Sequence, residues 1–367
     1  MMAIHRQACL LCLASSVLGA AAAAAPSVRI VAEHQAPDVL RHCGDVRWLG
    51  ERSVALALGT HGTFELQLSP PYEPKLLAPA SGEKLPGVGG ASGSKLLRAH
   101  TRLAVSNVGI AVADSIFGLS WMPHRGADPP AILPIHYCYD LDLHGSRVLL
   151  TGVPSVDAVQ KHGFAVAWEA DLNRAPLRFE PRHLLAERRW GSSQEFIQIT
   201  DWQLNSSAAH ARFLPDGSLA VLPGVEPGAF LYGPDLRLRR AWDQEVLGTN
   251  VAWGTAAEGR RIHLHPEERI TWPNTKRLAE VMLPLPEGPA LLVREVQQRR
   301  TRWTLVLLRE DGSSQRVELP LSTTGPYWHV AADARGHRII LCVRDACVLD
   351  NPSPCGAPRL LELEVQP

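Results

Sequence analysis

The chain has 367 residues, 37 Lys and Arg against 37 Asp and Glu, 46% hydrophobic residues and 20% charged ones. That composition excludes a disordered chain, which lacks the apolar residues a core needs, and a strongly basic nucleic-acid binder. Glycine and proline number 29 each, so turns punctuate the sequence throughout.

Residues 1–25 read as an export signal. Arg6 gives a positive start, an apolar run follows from Ala8, and alanines fill the end up to Ala25. Small residues at that end predict cleavage near Ala24. The folded chain is then 26–367, periplasmic or secreted. Ala and Ser make the run too weakly apolar for a span, and no later stretch reaches membrane length, so no transmembrane segment follows signal removal. Cys9 and Cys12 have redox-motif spacing but fall inside the signal. The remaining cysteines are Cys43, Cys138, Cys342, Cys347 and Cys355. An oxidising compartment allows pairing, and the odd count leaves at least one thiol over. Cys342, Cys347 and Cys355 are the local disulfide candidates. Cys43 and Cys138 would pair only if the fold brought them together.

In chain order, residues 28–32 predict a first strand. A hairpin follows at 45–58. Residues 69–95 are rich in proline and glycine and read as a loop. Further hairpins are expected at 103–113, 140–150, 211–222, 281–293 and 329–341, with a degraded copy at 251–272. Residues 180–194 read as a short helix inside an insertion near 172–198, with Pro181 in its first turn and Gly191 as its stop. A last strand covers 360–365. In the clearest hairpin, Pro215-Asp216-Gly217 makes the turn: Pro fixes φ and Gly accepts a positive φ. The starts recur at a mean of about 47 residues, near the length of a four-stranded propeller blade. One such sheet, apolar on both faces, is buried only by packing against neighbours around an axis. The fold class is therefore all-β, a six- or seven-bladed β-propeller in one domain, with a sandwich or two small barrels as rivals. The first and last strands are expected to share one blade and so remove an open edge.

The segment 213–221, Phe-Leu-Pro-Asp-Gly-Ser-Leu-Ala-Val, resembles the strand-turn-strand signature of NHL-type and sugar-lactonase-like propellers. The resemblance covers one blade well and the others loosely. Trp242-Asp243 is a single pair without other WD40 marks, Gly89-Gly90 is one pair and not a kelch series, and no Asp box is present. The resemblance implies a propeller and carries over no catalytic residue.

No HExxH, GxSxG or P-loop motif is present. Histidine is the richest lead. His42, His136, His210 and His329 stand at or just before the first strand of a repeat, with Asp45, Asp140 and Asp201 in comparable places. First strands line a propeller's channel, so these side chains would form a polar ligand pocket at the channel mouth if they converge. Otherwise each satisfies local backbone groups or faces water. His263 and His265, at period two, are weak metal candidates; no motif demands a cofactor, although a divalent cation would suit a convergent channel site. Trp48, Trp202, Trp253 and Trp328 near the same strand starts would stack on sugars at a channel mouth, or pack between blades. Arginine outnumbers lysine 32 to 5, in runs such as 237–240 and 299–303 that read as solvated outer strands. The functional expectation is an exported scaffold binding a protein or carbohydrate partner and no nucleic acid. The alternatives are a channel-site hydrolase, lactonase-like and metal-assisted, and a non-catalytic subunit of a cell-envelope assembly.

Overall fold

A computed structural model describes residues 25–34, 40, 42–80, 97, 101–114, 118–124, 131–185, 192, 196, 209–224, 226–250, 265, 272, 274–297, 300–324, 328–345 and 358–366. Strand β1 (Ser27–His34) comes first. The first blade follows as β2 (Asp45–Trp48), β3 (Ser53–Ala57), β4 (Thr63–Gln67) and β5 (Pro74–Ala78). The second is β6 (Arg102–Val105), β7 (Gly109–Asp114), β8 (Gly118–Pro123) and β9 (Ala131–Leu133). The third is β10 (Tyr137–His144), β11 (Arg147–Val153), β12 (Ala165–Asp171) and β13 (Glu180–Leu184), with helix α1 (Val156–His162) between β11 and β12. The fourth is β14 (His210–Phe213), β15 (Leu219–Leu222), β16 (Ala229–Tyr232) and β17 (Leu238–Trp242), followed by the single turn α2 (Gln244–Leu247). The fifth is β18 (Leu278–Leu285), β19 (Gly288–Gln297), β20 (Arg300–Leu308) and β21 (Ser314–Thr324). The sixth is β22 (Trp328–Arg335), β23 (Arg338–Asp345) and β24 (Arg359–Gln366), completed by β1 on its outer edge.

Among the described residues all pairings are antiparallel; the first five blades are simple meanders, and the sixth is a three-stranded meander to which β1 adds. The hairpin read at 211–222 shows why they form. Leu214 donates to Ser218 O and Gly217 to Leu214 O, and Asp216 accepts from both the amide and the hydroxyl of Ser218. Gly217 has φ +81, a conformation that L side chains rarely adopt. Middle strands are apolar on both faces because each sheet is covered twice. On β23, Ile339, Leu341 and Val343 pack toward the fifth blade, while Ile340 and Cys342 pack toward the first. That is the period-two geometry of a strand at work.

The same arrangement runs round the whole ring. Separate apolar clusters join the first and second blades, the second and third, the third and fourth, the fourth and fifth, the fifth and sixth, and the sixth and first. The chain is a six-bladed β-propeller. The cluster that includes Ala220 and Met282 brings the fourth blade directly onto the fifth, so 251–272 is not a seventh blade between them. Most of that segment lies outside the described residues.

Two other expectations change. Within 69–95, Pro74–Ala78 is the outer strand of the first blade, not loop. Within 180–194, Glu180–Leu184 is a strand and not a helix start; Pro181 fits there because an outermost strand does not need every N–H for a ladder. A helix does form earlier in the same blade, at α1. Ser155 caps it by accepting from Ala158 N, Asp157 sits in its first turn, and Gly163 ends it at φ 94.

The ends of the chain do share a blade. β1 pairs with β24 from Ser27↔Gln366 to His34↔Leu360. Its inner face sets Val28 and Ile30 on the cluster of the last two blades. Its outer face carries Arg29 to Glu364 at 2.8 Å and Glu33 to Arg359 at 2.9 Å. Among the described residues, no helix is long and apolar enough to cross a membrane. Residues 1–24, with the expected signal, lie outside the described residues.

Candidate functional site

The inner strands carry charge where most strand positions are apolar. Arg47 on β2 is 3% exposed. Its Nε donates to Leu103 O of the second blade at 2.9 Å, Nη1 to Ala332 O of the sixth at 3.2 Å, and Nη2 to Leu141 O of the third at 3.1 Å. The same Nη2 lies 3.2 Å from both Asp45 Oδ2 and Asp140 Oδ1. One guanidinium therefore joins four blades across the axis. Arg212 on β14 reaches Asp140 Oδ2 at 2.5 Å, and His210 Nδ1 reaches the same oxygen at 2.9 Å. Arg102 donates to Tyr139 O and to Thr101 O.

The carboxylates have a second role. An innermost strand has one unpaired edge, and its buried N–H groups need acceptors. Asp45 Oδ2 accepts from Leu103 N at 3.0 Å, Asp142 Oδ2 from Phe213 N at 2.8 Å, and Asp333 Oδ2 from Trp48 N at 2.9 Å. In each case an aspartate of one blade fills an acceptor position on the inner strand of the next.

Burial sets the electrostatics. It opposes the charge on Asp140, but Arg212, the hydrogen bond from His210 and Arg47 outweigh it and hold this carboxyl well below the usual carboxylate range. Burial pushes Asp45 up, with Arg47 pulling against it. Burial also raises Asp142, to about 6, against the pull of Arg212 and Arg47. Burial raises the Cys138 thiol as well. Its sulfur faces Asp140 O, as Cys43's faces Asp45 O. These two cysteines thus sit at matching positions two residues before the two clustered aspartates, on different blades.

Asp142 yields a test with a defined sign. A carboxyl raised in the folded state favours folding while protonated; that contribution is present below its unfolded value and is lost as pH rises through about 6. Asp142→Asn keeps an acceptor for Phe213 N and removes the half-buried charge. It is expected to stabilise the protein by roughly 2 kcal/mol at pH 7.5 and by almost nothing at pH 4. Urea unfolding at the two pH values checks this; an equal effect at both would contradict it.

Of the residues singled out in the sequence, the structure brings Asp45, Asp140 and His210 into one buried cluster. They are 5%, 4% and 6% exposed, so they lie inside the ring and do not line an open mouth. His42 is exposed and stacks near His61, with ring centroids 4.4 Å apart. His136 donates its amide to Pro154 O and packs on Tyr137. His329 is on β22, opposite Arg344. His265 is exposed. Asp201 and His263 lie outside the described residues, as do Cys347 and Cys355; Cys342 is buried on β23. Trp48 packs between blades, under Arg338 at 4.8 Å. Among the described residues no group of three His, Cys, Asp or Glu is arranged to hold a metal. Sequence reasoning missed Arg47, Arg102 and Arg212. The available signal was a charge at period two beside Asp45 and His210, inside strands with apolar neighbours.

Chemically, Asp140 and His210 form a dyad in which the carboxylate fixes Nδ1. His210 Nε2 is buried and has no hydrogen-bond partner. Dyads of this kind orient a base in hydrolases. Here Arg212 competes for the same carboxylate oxygen, and the ring closes around both.

No protein-family model and no curated protein matches the sequence. Solved structures of low similarity were found. A member of the DUF4221 family from Bacteroides vulgatus matches at TM-score 0.48 and 9% identity, covering 93% of this chain and 96% of that one. Streptogramin B lyase matches at TM-score 0.45 and 10% identity, covering 93% and 98%. The β-propeller domain of Cps50 (Swd1) from Myceliophteria thermophila matches at TM-score 0.45 and 11% identity, covering 92% and 100%. These are likenesses of fold alone.

Proposed function

We propose that this chain is an exported, protein-binding scaffold that meets its partner through its faces and blade rims. The observation that carries the reading is the axial network. The inner-strand charges that a channel site would use are committed to one another and to neighbouring backbones, with Arg47 spanning four blades. A ring locked in this way is a rigid platform, and recognition falls to the surfaces around it. Export rests on the composition of residues 1–25.

The Asp140–His210 dyad favours a second reading, a hydrolytic site at the axis. One experiment separates the two. The full chain and a His210→Ala variant are crosslinked in the envelope fraction of the native cell, and the purified proteins are assayed against a panel of esters and lactones. The scaffold reading expects one stoichiometric protein partner, captured equally by both. Hydrolysis by the wild type that His210→Ala abolishes, with no partner captured, would overturn it.

A further inference from the structure

The third blade shares an apolar core with the fourth through Leu149, Ala167, Phe213 and Val221, and its outer strands carry a concave, charged surface of their own. This surface is a basin of about 570 Å³ bounded by strands β11, β12 and β13 and the β12–β13 turn of the third blade. Its floor is unusual in charge. Glu169, 7% exposed, receives Arg147 Nε at 2.6 Å, Arg147 Nη2 at 2.9 Å and Arg182 Nε at 2.8 Å. Two guanidiniums thus share one carboxylate, which leaves one positive charge over. Arg147 is also held by stacking on Phe213, with 5.0 Å from guanidinium carbon to ring centre. Arg174 and Arg178 stand at the lip. Arg174 pairs with Asp171 at 3.2 Å with its side chain 82% exposed, and Arg178 makes no ion pair among the described residues. Glu180 is exposed on the same wall and offsets part of this charge.

We infer that this basin is a docking site for an acidic peptide segment of the partner protein, taking one or two carboxylate side chains between the arginines. The inference rests on the scaffold reading and says which surface it uses. Guanidiniums match carboxylates as a planar fork. Two of the four are already ordered by Glu169 and Phe213, so little side-chain freedom remains to be lost on binding. The volume suits side chains or a short segment and not a folded domain. Ala175 and Pro176 on the turn add apolar surface beside the charges, which suits a peptide more than a bare inorganic anion.

The test uses the full chain and an end-blocked, labelled tetraglutamate peptide, with tetraglutamine and inorganic phosphate as controls. Tetraglutamate is expected to bind at least tenfold tighter than tetraglutamine in dilute buffer and to weaken about tenfold in half-molar salt. Arg174→Ala with Arg178→Ala, both on the exposed lip, is expected to keep the wild-type melting temperature and lose about tenfold in affinity, while Glu180→Gln tightens binding roughly threefold. Absence of tetraglutamate binding, unchanged affinity in the double variant, or phosphate binding as tightly as the peptide would each overturn the inference. Failure here is distinct from failure of the scaffold reading: a partner crosslinked equally to the wild type and the double variant removes the basin and leaves the scaffold in place.

Discussion

Arg47→Ala is expected to lower the free energy of unfolding by about 3–5 kcal/mol, the cost of breaking a buried charged network by removing one partner. The size follows from what the variant leaves behind. Asp45 and Asp140 remain buried with less compensating charge, and the carbonyls of Leu103, Ala332 and Leu141 each lose a donor. Arg212 and His210 still hold Asp140, so the loss should stop short of unfolding. Arg47→Lys keeps a charge but has no planar fork to reach three blades, and is expected to recover less than half of the loss. Urea denaturation of the three proteins at neutral pH measures this. A loss below about 1 kcal/mol for Arg47→Ala would mean the network is worth no more than a surface pair.

Deleting residues 27–34 is expected to cost a similar amount, about 4 kcal/mol from lost apolar burial and ladder hydrogen bonds. It also changes the state of the protein. Without β1, strand β24 becomes an open edge, and Val28 and Ile30 no longer cover the cluster that includes Leu361, Leu363 and Val365. An uncovered edge of this kind templates association. The expected signature is a lower melting temperature, loss of amide protection confined first to β24, and concentration-dependent oligomers. Unchanged stability would mean that the sixth blade stands without its outer strand.

The inner half of every blade was legible in the sequence, and the outer half only in the sixth, where 28–32 and 360–365 read as strands. The hairpins at 45–58, 103–113, 140–150, 211–222, 281–293 and 329–341 correspond to the first two strands of the blades. Those strands are covered on both sides, so apolar runs and tight turns mark them. Outer strands face water. Pro74–Ala78 and Leu238–Trp242 are mostly exposed, and their residues obey no apolar pattern. Charge at the rim likewise hid β13, where Pro181 as a first turn and Gly191 as a stop suggested a helix.

The candidate site was legible only as positions. Asp45, Asp140 and His210 recur at one place in the repeat, and that recurrence is a property of a single chain read in order. Which strands face each other across the axis is not. Arg47 finds Leu141 and Ala332 because ring closure brings the inner strands of the third and sixth blades within reach of the first, and nothing local to residue 47 states this. The same holds for the basin, whose arginines come from β11, the β12–β13 turn and β13.

The outer strand of the sixth blade has a consequence in time. Synthesis is vectorial, so β1 emerges before the strands β2 to β23, yet its neighbour β24 follows all of them. β1 must wait for its partner until the first five blades and most of the sixth have been made. Asp333 and Trp48 are in the same position, a late acceptor for an early amide. Contacts so distant in sequence are slow to form. Truncating the last strand would therefore strand the first.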